Sequence, residues 1–206
     1  MVELIPESYC ARLELPKIFG RAGPLHVDLG CGDGSFLFSL AQRHPEKNFL
    51  GVERLALRVA KACRKANKIG NMRVLRLETM YAVEFLLPPQ SVETFYLLFP
   101  DPWPKRRHHR RRIVTKVFLD SIHRALEPNG ILRIATDHFD YFQQIERLSR
   151  TASAEQLDCL KQSSCSKFKI VDCEGVDLPL TKFERRFRDA GAPIYRLALR
   201  KVSPVR

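Results

Sequence analysis

Short apolar runs alternate with longer amphipathic segments from Pro24 onward. The apolar runs are five or six residues long and predict strands at Leu25–Leu29, Asn48–Val52, Arg73–Leu77, Thr94–Leu98, Ile131–Ala135 and Ile194–Leu199. The segments between them carry apolar residues at helical spacing and predict helices at Ser35–Arg43, Leu55–Asn67, Tyr81–Leu86, Thr115–Leu126 and Tyr141–Thr151. This alternation is typical of α/β proteins, in which helices cover both faces of a parallel sheet.

Turn signals support this division of the chain. Gly70 follows the second predicted helix, and "EPNG" at Glu127–Gly130 turns the chain into the fifth predicted strand. Residues 152–180 show no clear pattern, apart from "EGVDLPL", which has the composition of a loop. A length of 206 residues suits one domain, so we expect a single domain over residues 1–206, with a short N-terminal segment over residues 1–24.

The balance of charge indicates a polyanionic partner. Thirty-five Lys and Arg against 23 Asp and Glu give a formal net charge of +12. Eight consecutive basic or His residues, Lys105–Arg112, concentrate part of that charge in one place. Nucleic acid is the partner that this pattern favours, ahead of an anionic membrane surface.

Cysteine spacing and the N-terminus bear on metal sites, disulfides and membrane attachment. The six cysteines include no C-x-x-C pair, so the sequence predicts neither a zinc site nor a disulfide framework. The N-terminus lacks a charged region followed by an apolar one, and no apolar run approaches the roughly 20 residues that span a bilayer. We therefore expect a cytoplasmic protein with no metal and no membrane attachment.

A glycine-rich loop, "VDLGCGDGSF", links the first predicted strand to the first helix and contains Asp28, Gly30, Gly32 and Gly34. Glycines allow a tight turn and let a ligand approach backbone N–H groups near a helix N-terminus. The spacing G-x-G-x-G differs from the dinucleotide pattern, and the preceding acid suits an amino-acid tail whose ammonium faces Asp28. Glu53 ends the second predicted strand, where a carboxylate can accept hydrogen bonds from both hydroxyls of a ribose.

Together these features resemble the S-adenosylmethionine-dependent methyltransferases. Glycines alone would also fit a turn that binds nothing, but strand, Asp, glycines, helix, strand and Glu occur here in order. The resemblance implies an α/β, Rossmann-like class I methyltransferase fold, a mostly parallel sheet of about seven strands with an antiparallel last strand. Glu78, after the third strand, matches a position often near the adenine, although a solvated strand end is the alternative. Cys31 fits a small packing residue better than a nucleophile.

The segment "FPDPWPKRRHHRRR" follows the fourth predicted strand, at the sheet edge where α/β proteins bind ligands. Its three prolines fix φ and disfavour helix at the residues before them, which predicts a stiff, extended loop carrying Asp101 and Trp103. A proline-rich surface turn is the alternative. The charge run after it predicts contact with phosphates, the alternative being a solvated, partly disordered run.

Taken whole, "LLFPDPWPKRRHHRRRIV" is similar to the signature of the bacterial tRNA (guanine-N7-)-methyltransferases, F-P-D-P-W-P-K-x-R-H-x-K-R-R. Two later segments, "ATDHFDYF" and "TKFERRFRDAG", match the same family in the expected order. The resemblance runs from about Leu25 to Arg200. It implies methyl transfer from S-adenosylmethionine to N7 of a tRNA guanine, at position 46 of the tRNA. An enzyme of this fold with another RNA or small-molecule substrate, or a non-catalytic RNA-binding module, are the alternatives.

The resemblance also implies roles for individual residues. The family binds its cofactor through acids that match Asp28, Glu53, Glu78 and Asp101. It contacts tRNA through positions that match Lys105, Asp137, Thr181, Lys182, Phe183 and Glu184. The chain departs from the family at two acids, since the family usually has Glu at Asp28 and Asp or Asn at Glu78.

Guanine N7 carries a lone pair and no proton, so its methylation needs orientation and no general base. Asp101 is our candidate for stabilising the positive charge that develops on the base. Asp137 or Glu184 could accept hydrogen bonds from the Watson–Crick edge of guanine. Trp103 could stack on the base or support the loop, and the flanking prolines favour support.

Basic residues then contact the RNA backbone. We assign this role to Arg106, Arg107, Arg110, Arg111 and Arg112, with His108 and His109 on the same RNA face. A second basic patch surrounds Phe187, at Arg185, Arg186 and Arg188. The absence of an obvious apolar interface helix predicts a monomer.

Overall fold

The computed structural model describes residues 2–154, 167–173 and 177–202. Eight described strands form one sheet in the order β1-β4-β3-β2-β5-β6-β8-β7. Their bounds are Glu3–Leu4 (β1), Leu25–Leu29 (β2), Asn48–Glu53 (β3), Met72–Arg76 (β4), Val92–Leu98 (β5), Leu126–Thr136 (β6), Phe168–Val171 (β7) and Tyr195–Lys201 (β8). Neighbouring strands pair in parallel from β1 to β6, and β8 runs antiparallel to both β6 and β7. The predicted fold class is confirmed, with one strand more than the seven expected.

Helices lie on both faces of this sheet. Their bounds are Leu15–Phe19 (α1), Ser35–Arg43 (α2), Ala56–Ala66 (α3), Thr79–Tyr81 (α4), Lys116–Ala125 (α5), Phe139–Ala154 (α6) and Lys182–Asp189 (α7). A π-helical turn, Ala82–Leu86, continues α4, and a 3₁₀ helix covers Arg106–Arg111. No described helix combines the length and apolar character needed to cross a bilayer.

Two apolar clusters, one on each face, hold the helices to the sheet. Residues of α2 and α3, such as Leu37 and Ala62, pack on one face, and residues of α5 and α6, such as Phe118 and Tyr141, pack on the other. All five residues of β2 are buried, as expected for a central strand covered on both sides. This packing fixes the strand ends that carry the site.

Several elements differ from the predictions. The second predicted helix ends at Ala66, with Asn67 as its C-cap, so Gly70 lies beyond the helix end. The "EPNG" turn is a bulge within β6, where the pairing with β5 jumps from Leu126 to Ile131. Part of the unassigned stretch 152–180, including residues 174–176 of "EGVDLPL", lies outside the described residues.

The elements missed from the sequence lack an apolar pattern. β1 has two residues and β7 has four, too few for a visible period. α7 has no buried residue, and its sequence "KFERRFRD" has only two apolar residues, Phe183 and Phe187, among six charged ones, too few for a clear apolar stripe.

Candidate functional site

The predicted site residues lie along one edge of the sheet, where the parallel strands end. In sheet order, the chain places Glu78 after β4, Glu53 at the end of β3, Gly30 after β2, Asp101 after β5 and Asp137 after β6. Neighbouring strands are about 4.8 Å apart, so this row extends over roughly 19 Å. The edge is long enough for a nucleoside-sized ligand on one half and a second substrate beside it.

The glycine loop is open toward solvent at its first two glycines. Gly30 and Gly32 have φ values of +81° and +57°, and a Cβ added to either would meet no atom within 4 Å. Their conformation favours glycine, and the space around them is free for a ligand. Gly34 has a different role, because a Cβ there would lie 2.8 Å from the Cβ of Ala62 on α3.

Asp28 is a buried acid to which no described residue donates a hydrogen bond. Its side chain is on the central strand β2, the residue is 4% exposed, and the described residues offer its carboxyl no hydrogen bond. Burial, together with the neighbouring carboxylate of Glu53, raises the pKa of Asp28 to about 7. A ligand cation would satisfy this carboxylate and favour its ionised form, which fits the ammonium that the sequence analysis assigned to it.

Glu53 holds the glycine loop in place. Its carboxylate accepts hydrogen bonds from the backbone N–H of Gly32 at 3.1 Å and of Leu55 at 2.9 Å, and the residue is 4% exposed. A carboxylate offers about four acceptor positions, so two remain for the ribose hydroxyls of a cofactor. A ribose bound there, as predicted, would share this side chain with the loop.

Glu78 has a local structural contact. It is exposed, it is the N-cap of α4, and its carboxylate accepts a hydrogen bond from the backbone N–H of Tyr81 at 2.9 Å. Capping explains this acid without a ligand. Its proximity to an adenine stays a prediction.

The loop after β5 is not extended, contrary to the prediction from its prolines. Phe99 and Trp103 have φ values of +54° and +43°, in the left-handed region that non-glycine residues rarely adopt. Such backbone persists only where the surroundings hold it, and it often lies at functional sites. Asp101 lies between these two residues, is exposed, and has no hydrogen-bond partner among the described residues.

Arg112 makes some of the contacts that hold this loop in place. Its predicted contact with the RNA backbone was wrong. Its side chain is only 1% exposed and lies 4.8 Å over the ring of Tyr141. Its guanidinium donates to the carbonyl of Pro102 at 2.8 Å, to Asp140 at 2.7 Å and to Gln144. Arg112 therefore anchors the loop to α6 and has no free donor face for a phosphate.

The rest of the charge run is ordered and faces solvent. It forms a 3₁₀ helix in which four arginines are exposed, namely Arg106, Arg107, Arg110 and Arg111. Trp103 packs under this helix, edge-on to His108 at 5.8 Å and with the Arg111 guanidinium 4.9 Å from its ring. These contacts support the buttressing role of Trp103. His108 and His109 are half-buried, and their place on the RNA face stays a prediction.

The two candidates for reading the guanine edge differ in availability. Glu184 is 12% exposed at its side chain and is paired with Arg188 at 2.8 Å and with Arg196. Asp137 is half-buried at the end of β6, and the described residues give its carboxylate no hydrogen-bond partner. Asp137 is the freer acceptor.

The segment Thr181–Glu184 begins α7 beside this edge. The Thr181 hydroxyl caps the helix by accepting from the Glu184 N–H at 2.9 Å. Phe183 is 51% exposed, and its ring lies 6.4 Å from that of Phe99. Lys182 is bound to Asp33 of the glycine loop, so its predicted contact with the substrate competes with an ion pair inside the protein.

Three supporting residues were missed from the sequence. Asp140, Tyr141 and Gln144 surround Arg112 from α6. The i, i+4 spacing of Asp140 and Gln144 places them on one helix face. Nothing in the sequence links that face to an arginine 28 residues earlier. Among the described residues, no group of three or more His, Cys, Asp or Glu side chains could hold a metal ion.

Cys31 behaves as a packing residue, as the sequence suggested. It is 8% exposed, and a Cβ added to Gly51 on the next strand would come within 2.7 Å of its sulfur. Burial raises the pKa of the Cys31 thiol well above its usual value, which disfavours the nucleophilic thiolate.

Comparison with solved structures shows the fold. An antibiotic-resistance methyltransferase, Kmr, superposes with a TM-score of 0.62 at 17% identity, over 98% of this chain and 96% of the other. A 16S rRNA (adenine(1408)-N(1))-methyltransferase from Catenulisporales acidiphilia, solved as a variant with its cosubstrate, has a TM-score of 0.60 at 19% identity, over 94% of this chain and 92% of the other. At these identities the likeness is one of architecture.

Comparison of sequences is more specific. A family model described as "Putative methyltransferase" matches residues 22–197. A tRNA (guanine-N(7)-)-methyltransferase of Halorhodospira halophila is 37% identical over 91% of this chain and 79% of the relative, and one of Leifsonia xyli is 36% identical over 91% and 81%. With the motifs placed along one sheet edge, these matches show that the chain belongs to the bacterial tRNA (guanine-N7-)-methyltransferase family.

Proposed function

We propose that this protein transfers the methyl group of S-adenosylmethionine to N7 of a guanine in tRNA, at the position 46 that its family resemblance implies. One observation carries the proposal. Asp101, exposed and unpaired among the described residues, follows β5, between the glycine loop after β2 and the free acceptor Asp137 after β6. A reacting base held at Asp101 would lie between a cofactor site and a base-recognition site.

The cofactor would occupy the half of the edge formed by β4, β3 and β2. The unpartnered carboxylate of Asp28 fits its ammonium, the open backbone at Gly30 and Gly32 fits its carboxylate, and Glu53 fits its ribose. Glu78 would lie near the adenine. When bound, S-adenosylmethionine supplies a methyl group activated by a sulfonium.

The main task of the protein residues is to hold the reacting atoms in the right orientation. The N7 lone pair forms the new bond to carbon as the carbon–sulfur bond breaks, its electron pair stays on sulfur, and no proton moves. The guanine therefore gains a positive charge that a carboxylate can stabilise, and Asp101 is placed for this. Because Arg112 and Trp103 support the loop from two sides, Asp101 can be held in one position before the substrate arrives.

Asp137 would select the base. Its carboxylate offers two acceptors to the N1–H and N2–H groups of guanine, and its place at the end of β6 is next to the Asp101 loop, where the Phe99 N–H donates to the Ala135 carbonyl at 2.7 Å. Phe183 presents an exposed ring on the other side of that loop, which suits stacking.

Two basic surfaces would contact the tRNA backbone. The first consists of Lys105, Arg106, Arg107, Arg110 and Arg111, all exposed next to the Asp101 loop. The second consists of Arg185, Arg186 and Arg188, exposed on α7. Their charges would orient the RNA without reading its sequence.

We further propose that residues 1–206 act as one domain, as a monomer, in the cytoplasm where tRNA is modified.

The decisive experiment supplies unmodified tRNA and methyl-labelled S-adenosylmethionine to the purified protein, followed by digestion and nucleoside mass spectrometry. We expect labelled 7-methylguanosine and no other labelled nucleoside. A label on another nucleoside would indicate a different methyltransferase, and binding of tRNA without any transfer would indicate an RNA-binding module.

A further inference from the structure

Helix α7 is held to the protein by few contacts. None of its eight residues is buried, and its apolar face is limited to Phe183 and Phe187. Among the described residues, its main contacts with the rest of the molecule are the rings of Phe183 and Phe187 against Phe99, the pairing of Glu184 with Arg196, and the pairing of Lys182 with Asp33. A polar helix held in this way takes its position from these contacts.

Asp33 belongs to the cofactor loop, between Gly32 and Gly34. Its carboxylate accepts hydrogen bonds from the N–H and hydroxyl of Ser35, at 3.2 and 3.0 Å, and from Lys65 of α3 at 3.3 Å, in addition to Lys182. Burial alone would raise the pKa of Asp33, but the hydrogen bonds from Lys182, Ser35 and Lys65 outweigh it and hold the pKa well below its usual range. Asp33 is therefore ionised at neutral pH.

We propose that Asp33 is a positioning residue that docks α7, and with it Phe183, onto the glycine loop, so that the tRNA-contacting helix is aligned with the cofactor site. The part of this proposal that concerns tRNA rests on the proposed function, whereas the docking of α7 does not. Lys182 then acts inside the protein and is not one of the residues that contact tRNA.

The acid of this ion pair is better ordered than that of an ordinary surface pair, although the Lys182 side chain is 68% exposed. The Asp33 side chain is 21% exposed, and Lys65 also donates to the Asp33 backbone carbonyl at 2.6 Å, so the carboxylate is already fixed before Lys182 binds. Preorganisation lowers the entropy lost on pairing, which is the main cost of exposed ion pairs. The pair of Arg43 with Asp177 provides a contrast, because Asp177 is 93% exposed and has no second partner among the described residues.

Hydrogen–deuterium exchange on the full chain, without ligands, tests the docking of α7. Asp33→Asn keeps the size of the side chain and removes its charge, and Lys182→Met removes the partner. We expect each to speed exchange of the α7 amides about three- to fivefold, and the double variant to do no more than either single one. Asp177→Asn, the matched control, should leave α7 exchange as in the wild type. Unchanged α7 exchange in Asp33→Asn would overturn the proposal.

Steady-state kinetics then separate positioning from other roles. Asp33→Asn and Lys182→Met should each raise the KM for tRNA about three- to tenfold and the double variant no further, with the calorimetric Kd of S-adenosylmethionine unchanged in Lys182→Met. A larger KM effect in Asp33→Asn than in Lys182→Met would show that Asp33 acts on the glycine loop itself and would contradict the proposal. A wild-type protein that makes no 7-methylguanosine would overturn the proposed function, while the exchange result would still decide the docking of α7.

Discussion

The two halves of the sheet edge use acids in opposite ways. On the cofactor half, Asp28 and Glu53 are each 4% exposed, and the loop around them is already formed. On the substrate half, Asp101 is exposed, and the residues around it are exposed arginines and the half-exposed ring of Phe183. The proposed cofactor would meet acids that are already desolvated and held in place, beside the open backbone of Gly30 and Gly32. A large RNA brings its own surface, so the protein can leave its half open until the complex forms.

This contrast predicts different consequences of substitution. A buried acid responds to pH and to the charge of its ligand, because desolvation makes its ionisation costly. Substitution of an exposed acid on a supported loop should change the rate of the reaction and leave the stability of the free protein unchanged. Five predictions test this contrast, beginning with the largest expected effect.

Asp101→Ala should lower kcat for 7-methylguanosine formation about 100-fold or more, because the variant loses the charge that stabilises the cationic base in the transition state. The calorimetric Kd of S-adenosylmethionine should change little, since the buried acids that would hold the cofactor are intact. Turnover within about threefold of wild type would remove Asp101 from the chemistry.

Arg112→Met should lower kcat/KM about tenfold or more and also reduce stability. Its guanidinium joins the Pro102 carbonyl to Asp140 and Gln144, and loss of a buried charged donor costs roughly 2–3 kcal/mol. Thermal unfolding should show a Tm lower by about 2–4 °C per kcal/mol lost. The neighbouring Arg110→Met should leave the Tm unchanged, because Arg110 is exposed and has no side-chain partner among the described residues. An equally stable Arg112 variant would restore that residue to the RNA-binding set.

Asp28→Asn should weaken the binding of S-adenosylmethionine about tenfold at pH 8. The wild-type affinity should rise with pH as Asp28 ionises through its pKa of about 7, and the affinity of the variant should not show this rise. Calorimetry between pH 6 and 8 measures both. A wild-type affinity that does not change over this range would show that Asp28 does not face the cation.

The same substitution has a predicted effect without ligand. The pKa of Asp28 is raised in the folded state, so its contribution to stability is present at low pH and is lost as pH rises through about 7. Asp28→Asn should therefore melt above the wild type at pH 8, and the difference should shrink steadily as the pH falls from 7 toward 4. The reverse order at pH 8 would mean that the buried carboxylate has a partner in the fold.

Arg110→Ala should have the smallest effect. Because Arg110 is exposed and has no side-chain partner among the described residues, the KM for tRNA should rise about two- to threefold. The slope of log K for tRNA binding against log salt concentration should fall by about one phosphate contact. Filter binding at several salt concentrations measures the slope. An unchanged slope would show that this arginine lies outside the RNA interface.

Much of the fold and the order of the site could be predicted from the sequence. β2 and β3 begin at the predicted residues because central strands are continuous apolar runs, and the residues after each strand necessarily meet at one edge. The positions of Asp28, Glu53 and Asp101 along that edge follow from strand order alone. Their burial could not be predicted, because it depends on side chains from other strands and helices.

The charge run shows most clearly what could not be predicted from the sequence. Lys105–Arg112 is continuous in sequence, yet seven of its residues form or precede an outer 3₁₀ helix while Arg112 points inward to α6. A one-dimensional pattern of charge does not show which side chain turns toward the core, and the partner lies 28 residues away. The proline loop is similar, because prolines restrict the residues before them but tertiary contacts place Trp103 at a positive φ.

The central claim is that guanine N7 is the nucleophile at Asp101, and an atomic substitution in the RNA tests it most directly. We suggest measuring single-turnover methyl transfer to a tRNA that carries 7-deazaguanine at the target position, beside the same tRNA with guanine. The two RNAs keep the same Watson–Crick edge for Asp137 and the same phosphates for the exposed arginines, so they should bind with similar affinity. We predict transfer to the guanine tRNA and none to the 7-deazaguanine tRNA. Transfer to both at comparable rates would contradict the account.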